Sequence, residues 1–174
     1  MISPGCNFKP AYPTVVASGP RRGILHYTRS DHHFDPENTG ILVDFGIDFY
    51  GYKSDITRCY GFKTDAELEL YSALYRVQGK LIEAIKIGFE KKTSQKERLS
   101  LNQIFSLQQM LLMKELVELG FTMNGKEMIE VIQKICPHHC SHYIGLDVHD
   151  CATVDKNMFI NNGMCFTVEP GVYG

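Results

Sequence analysis

Leu42-Val43-Asp44-Phe45-Gly46-Ile47-Asp48-Phe49-Tyr50-Gly51-Tyr52-Lys53-Ser54-Asp55-Ile56-Thr57-Arg58 is the stretch that decides the fold. β-Branched and aromatic residues dominate both arms, and Gly51 sits where a tight turn would reverse the chain. Folded as a hairpin about Tyr50-Gly51, the arms bring Asp44 and Asp55 nearly opposite each other. Like charges facing across two strands destabilise the pair unless they share a proton or hold a cation. A divalent metal resolves this most simply, because carboxylates are hard oxygen ligands. Two solvated aspartates flanking a turn are the alternative. Asp48 lies close to the turn, where solvent is expected to satisfy it.

Outward from this hairpin the chain reads as three blocks, with no repeat and no low-complexity segment. Residues 13–62 read as β, with Thr14-Val15-Val16 and Ile24-Leu25-His26-Tyr27 preceding the hairpin and the polar stretch Arg29 to Thr39 as a loop. Residues 64–135 read as α. Thr64 with Glu67 and Ser100 with Gln103 have capping-box spacing, and apolar residues recur at the helical period behind each. Gly88 and Gly120 mark the two stops, and a shorter helix is expected from Lys126 to Ile135. Glu90 to Leu99 reads as a solvated linker. Tyr143 to Val148 and Met164 to Tyr173 return to β. Strands, helices, then strands predict an α+β fold, with helices on one face of a mostly antiparallel sheet.

Two further segments carry side chains capable of chemistry. Cys136-Pro137-His138-His139-Cys140-Ser141-His142-Tyr143-Ile144-Gly145-Leu146-Asp147-Val148-His149-Asp150 holds four of the chain's 7 histidines. A zinc site from Cys136, His138 or His139, and Cys140 is one reading. Another has His142 as a metal ligand and His138 and His149 as outer-shell donors. A straight strand would hold His142 and His149 some 23 Å apart, so one centre needs a bend, and Gly145 is where it is expected. In Gly163-Met164-Cys165-Phe166-Thr167-Val168-Glu169-Pro170-Gly171, a carboxylate follows a half-buried strand, where an unpaired charge is costly. Pro170 holds Glu169 extended. Asp44, Asp55, His142 and Glu169 together make the oxygen and nitrogen mixture suited to manganese, cobalt, iron or zinc in a hydrolytic site.

The chain has 174 residues, 44% of them hydrophobic and 22% charged, which is an ordinary globular composition and enough for one domain with a core. A net charge of −2 argues against a nucleic-acid or membrane-surface binder. No apolar run approaches the roughly 18 residues of a membrane span. The opening Met1-Ile2-Ser3-Pro4-Gly5 resembles neither a secretory signal nor a transit segment. The 6 cysteines are therefore expected as reduced thiols in an intracellular protein.

Asp44 to Arg58, His138 to Asp150 and Gly163 to Tyr173 together resemble the signature segments of the pita-bread metallopeptidases. The match is closest to Xaa-Pro aminopeptidase (aminopeptidase P) of the mitochondrial type, and Val16 to Gly19 with Leu25-His26-Tyr27 fits as well. The resemblance implies a curved, mostly antiparallel sheet with helices on its outer face, residues 1–174 forming a single partial catalytic domain incomplete at both ends. It implies two divalent metal ions, manganese first and cobalt, zinc or iron as alternatives. Asp44 and Asp55 would bind one, Asp55 would reach the second, and His142 and Glu169 would complete the second metal's ligand shell on this side. By the same resemblance His26 lines the substrate pocket, His138 lines the site near the metals, and His149 stabilises the scissile carbonyl oxygen. Glu169 is the proton shuttle, so His138, His149 and Glu169 form the catalytic group. The implied reaction removes an N-terminal residue that precedes proline, on a peptide partner. The subfamily points to a mitochondrial or cytoplasmic location, and association as a homo-oligomer is allowed.

The family's fifth ligand, a bridging glutamate beyond the Glu169 motif, has no counterpart before Gly174. Peptidase activity is accordingly expected to be impaired in this chain alone. A catalytically inactive homologue acting by association with another chain is the alternative, and a prolidase or methionine aminopeptidase relative shares the ligands.

Overall fold

The computed structural model describes residues 8–29, 31–33, 40–90 and 98–174. Cys6, most of the polar stretch ending at Thr39 and most of the Glu90–Leu99 linker lie outside these residues. The chain divides into two compact units, Met1–Lys63 with Tyr143–Cys151, and Thr64–His142 with Ala152–Gly174.

The first unit is built from antiparallel pairs. Its strands are β1 (Phe8–Pro10), β2 (Val15–Ser18), β3 (Ile41–Phe45), β4 (Ile47–Phe49), β5 (Tyr52–Lys53) and β6 (Ile56–Tyr60). They form two three-stranded sheets, ordered β1-β4-β5 and β2-β3-β6. The hairpin reading holds: Phe49 faces Tyr52 across a two-residue turn. Tyr50 and Gly51 both have positive φ, at 51° and 93°, the backbone a tight primed turn requires. The arms are broken at Gly46, where the Ile47 N–H turns to Ser54 Oγ at 3.0 Å. Thr57, not Asp55, stands opposite Asp44; the two aspartates share a face, two residues out of direct register. Val15, Ala17 and Tyr27 pack with Leu42 as this unit's core.

Two expectations fail here. Ile24-Leu25-His26-Tyr27 is no strand. A short 3-10 helix over Gly19–Gly23 runs into a turn, in which His26 has φ 54°. Gly19-Pro20 starts that helix, because proline suits a first helical position and removes a strand donor. Asp48 is not left to solvent but is 4% exposed. Its carboxylate takes Lys53 Nζ at 2.5 Å, Gly51 N–H at 2.8 Å and Lys9 Nζ at 3.3 Å.

The Lys53 and Gly51 donors hold the Asp48 carboxyl down at about 2. A carboxylate more acidic in the folded than in the unfolded chain stabilises the fold above its unfolded value, near 4, and loses that contribution as pH falls towards 2. Thermal melts followed by circular dichroism should therefore drop across this window. Asp48→Asn should flatten the drop; an unchanged slope in that variant would place the acid sensitivity elsewhere.

The second unit is helical. α1 spans Asp65–Glu90, α2 Leu101–Glu118 and α3 Gly125–Ile135. Thr64 Oγ1 accepts the Glu67 N–H at 3.1 Å, and Ser100 with Gln103 forms the full reciprocal box. α1 runs two residues past the expected stop at Gly88, which is buried on its inner face. α3 starts from a box that the sequence reading overlooked, Asn124 with Glu127. One core cluster is Leu112, Leu116, Met128, Ile132 and Cys136, joined by Leu70 and Val172. Glu115 is fully buried, held by Arg76 Nη2 at 2.7 Å and Lys80 Nζ at 2.6 Å. Those two cations, Lys80 foremost, hold its carboxyl below the usual range.

The expected strands over 143–148 and 164–173 are also absent. Thr167 and Glu169 do donate backbone N–H groups to His142 O and Cys140 O, each at 2.9 Å. The reciprocal bonds are taken by side chains. His142 N–H goes to Thr167 Oγ1 at 3.1 Å, and Thr167 O receives Ser141 Oγ at 2.6 Å. Hydroxyls competing for backbone partners in this way leave half a ladder, short of a strand.

Candidate functional site

In the first unit the hairpin delivers its two carboxylates to one point. Tyr12 Oη lies 2.7 Å from Asp44 Oδ1 and 2.7 Å from Asp55 Oδ1. Tyr12 reaches them because Ala11 N–H bonds Gly46 O at 2.9 Å, anchoring the chain just past β1 beside the break in the hairpin. Burial, then the Asp55 and Asp44 bonds, push the phenol far above its usual range, so it stays protonated and donating. A hydroxyl carries one hydrogen for two carboxylates, and it brings no positive charge. Converging carboxylate oxygens of this kind fit a hard divalent cation. Tyr12 was not read from the sequence. It follows a three-residue strand too short to show a period, and no spacing ties it to Asp44.

His26 and His149 also meet in this unit, their rings 6.4 Å apart and tilted by 47°. The left-handed backbone at His26 turns the chain there. The segment carrying His149 bends at Gly145, as expected: Gly145 N–H bonds Asp147 O at 3.1 Å and Asp150 N–H returns to Tyr143 O at 3.0 Å. A Cβ on Gly145 would lie 2.5 Å from Asp150 Oδ2, so a larger residue there would displace the Asp150 carboxylate.

In the second unit His142 Nε2 lies 3.0 Å from Glu169 Oε1. Thr167 Oγ1 donates to the same oxygen at 2.9 Å while accepting the His142 N–H. One threonine thus holds the Glu169 carboxylate and the His142 backbone together. Gln78 on α1 donates to Val168 O at 2.9 Å and steadies the strand-like segment beside Glu169. An imidazole and a carboxylate offered side by side are a usual ligand pair for zinc, manganese or cobalt.

His138 has its tautomer set by its neighbours. Nδ1 lies 2.9 Å from the His139 carbonyl, which only accepts, so Nδ1 carries the hydrogen. In the neutral ring Nε2, 3.1 Å from Tyr173 Oη, then accepts. Gly171 makes room, since a Cβ there would sit 2.6 Å from His138 Nε2. The alternative zinc site does not form: among the described residues Cys136, His138, His139 and Cys140 do not converge as a ligand set. Burial pushes the Cys136 and Cys140 thiols up to about 11 and about 12, opposite to what a thiolate ligand needs. His139 instead stacks on Phe105 at 4.7 Å, and burial lowers its basicity.

Comparison with known proteins places the chain among metallopeptidases. Xaa-Pro aminopeptidase 3 of Mus musculus is 35% identical over 167 residues, covering 94% of this chain and 31% of that protein. Intermediate cleaving peptidase 55 of Saccharomyces cerevisiae is 36% identical over 176 residues, covering 99% of this chain and 32% of its own length. The chain thus spans about a third of the relatives it matches. The crystal structure of yeast Icp55 superposes with a TM-score of 0.79 at 34% identity, over 97% of this chain and 40% of that one. A zinc-substituted Escherichia coli aminopeptidase P in complex with product gives 0.74 at 29% identity, over 94% and 37%. These neighbours share the pita-bread fold. Residues 2–174 match the whole-family pattern, and the chain belongs to metallopeptidase family M24.

Proposed function

We propose that this chain carries the metal-binding and substrate-facing core of an Xaa-Pro aminopeptidase. The observation that supports it most is the convergence of Asp44 and Asp55 on one neutral hydroxyl. In this reading Asp44, Asp55, His142 and Glu169 hold two divalent cations, manganese by preference. When bound, the cations would supply Lewis acidity and a water of lowered pKa. Glu169 would serve as the proton-carrying carboxylate, which Thr167 aims. His149 donates a hydrogen bond where charge develops on the carbonyl oxygen, His26 lines the pocket beside it, and His138 lines the site with Nε2 accepting. The substrate is a peptide with proline second, cleaved ahead of that proline, in an intracellular compartment, mitochondrial or cytoplasmic. Among the described residues no helix is long and apolar enough to cross a membrane.

Two measurements on the purified chain test this. Manganese binding followed by calorimetry should show saturable uptake that weakens about a hundredfold in Asp55→Ala. With manganese present, cleavage should be weak, and what remains should fall at the first bond of a peptide with proline second and spare an alanine counterpart. Uptake unchanged in Asp55→Ala would overturn the ligand assignment. Binding without cleavage would leave the chain a metal-holding, non-catalytic relative.

A further inference from the structure

The chain contains two Asn-Gly pairs, Asn124-Gly125 and Asn162-Gly163, and the fold treats them oppositely. In such a pair the glycine nitrogen can close a five-membered ring onto the asparagine side-chain carbon. The step is intramolecular and driven by proximity, and a glycine, lacking Cβ, does not crowd it. Whether the ring closes depends on what already holds the side chain and the turn.

Asn124 is held. Its Oδ1 accepts the Lys126 N–H at 3.1 Å and the Glu127 N–H at 3.0 Å, and Gly125 is the first residue of α3. Turning this amide towards the Gly125 nitrogen would forfeit both cap bonds. Asn162 is exposed. Among the described residues neither its side chain nor the Gly163 N–H makes a hydrogen bond. The pair forms the middle of a turn closed by Met164 N–H on Asn161 O at 3.2 Å, in which Gly163 takes φ 88°, a backbone that favours glycine. An added Cβ on Gly163 would meet nothing within 4 Å, so neighbouring atoms do not brace the turn. Asn161 beside it is pinned, with Oδ1 taking Arg98 Nη1 at 3.0 Å and Nδ2 donating to Phe159 O at 3.1 Å.

We propose that Asn162 is a site of spontaneous covalent modification, deamidating through a cyclic imide with Gly163, while the cap of α3 protects Asn124. The Gly163 nitrogen loses its proton and bonds to Asn162 Cγ; the side-chain nitrogen leaves as ammonia, carrying that proton away. Water then opens the imide without any redox change. Breaking the new Cγ–N bond gives aspartate, and breaking the original peptide C–N bond gives isoaspartate. Either product takes the net charge from −2 to −3. The isoaspartyl form also lengthens the main chain in the turn that leads to Thr167 and Glu169. It is the chemical group that isoaspartyl carboxyl methyltransferases recognise, so an enzyme of that class is the partner this turn would take. This does not depend on the peptidase reading.

Purified 174-residue chain held at mildly alkaline pH tests the proposal, sampled by peptide mass mapping and by methyl transfer from an isoaspartyl carboxyl methyltransferase. Asn162 should convert at least about fivefold faster than Asn124, the factor set by one helix cap. In urea, where no cap forms, the two rates should converge. Asn162→Gln needs a larger ring and should remove the methyl label from this peptide, with an unchanged helical spectrum. Equal rates in the folded chain, or faster loss at Asn124, would overturn the proposal. So would rates that stay apart in urea, or a methyl label that survives Asn162→Gln.

Discussion

Gly46→Ala is expected to destabilise the first unit by roughly 3 kcal/mol or more. A Cβ at this position would lie 1.8 Å from the Ser54 carbonyl oxygen and 2.8 Å from both the Ser54 carbonyl carbon and Tyr12 Cε1. Two of these are backbone atoms of the opposing arm, so no side-chain rotation relieves the clash. An alanine also restricts the unfolded chain, which favours folding by about 0.4–1 kcal/mol; the overlap outweighs that gain. The arms must part, and parting moves Asp55, which follows Ser54 directly, and Tyr12, which ties Asp55 to Asp44. Stability and cation uptake should fall together, read by urea unfolding and calorimetry. A variant with wild-type urea midpoint and wild-type manganese uptake would show that the hairpin tolerates a wider gap than the structure has.

Leu112→Ala should destabilise the second unit by about 2–5 kcal/mol. Leu112 is fully buried and packs with Leu116, Met128, Ile132 and Cys136, joining α2 to α3. Truncation removes its apolar contacts and leaves a space that helices fixed by capping boxes at Ser100 and Asn124 cannot easily close. Met110→Ala on the same helix is the control. Met110 is 60% exposed, and its replacement should change stability by less than about 0.5 kcal/mol. Equal losses in the two variants would mean that helix propensity, and not the core, sets the stability of α2.

What the sequence made legible was local. The Tyr50-Gly51 turn, the Ser100-Gln103 box and the bend at Gly145 each depend on a few neighbouring residues with strong backbone preferences. Asp44 and Asp55 were readable as a pair because a hairpin converts sequence separation into distance. What stayed hidden depends on partners far along the chain. Nothing near Asp48 announces that Lys9 closes over it. His26 sits in a run of β-forming residues, yet Gly19-Pro20 redirects the backbone before the run begins. The segments at His142 and Glu169 have strand composition, but Ser141 and Thr167 hydroxyls take the bonds a ladder would use. Tyr12 is the clearest loss, a single side chain recognisable only once the hairpin it bridges is folded.

The described cysteines are all free thiols, and they fall into contrasting classes. In the second unit Cys136 and Cys140 are buried and Cys165 is exposed; in the first, Cys151 is exposed and Cys59 is half-buried with its thiol pushed up by burial. Thiolate, not thiol, reacts with alkylating reagents, so shielding and raised pKa values both protect the inner set. Each unit therefore carries a reporter that labels in the native state and one that labels on opening. The order in which mass accumulates at the inner positions reads out which half of the chain unfolds first, without any introduced probe.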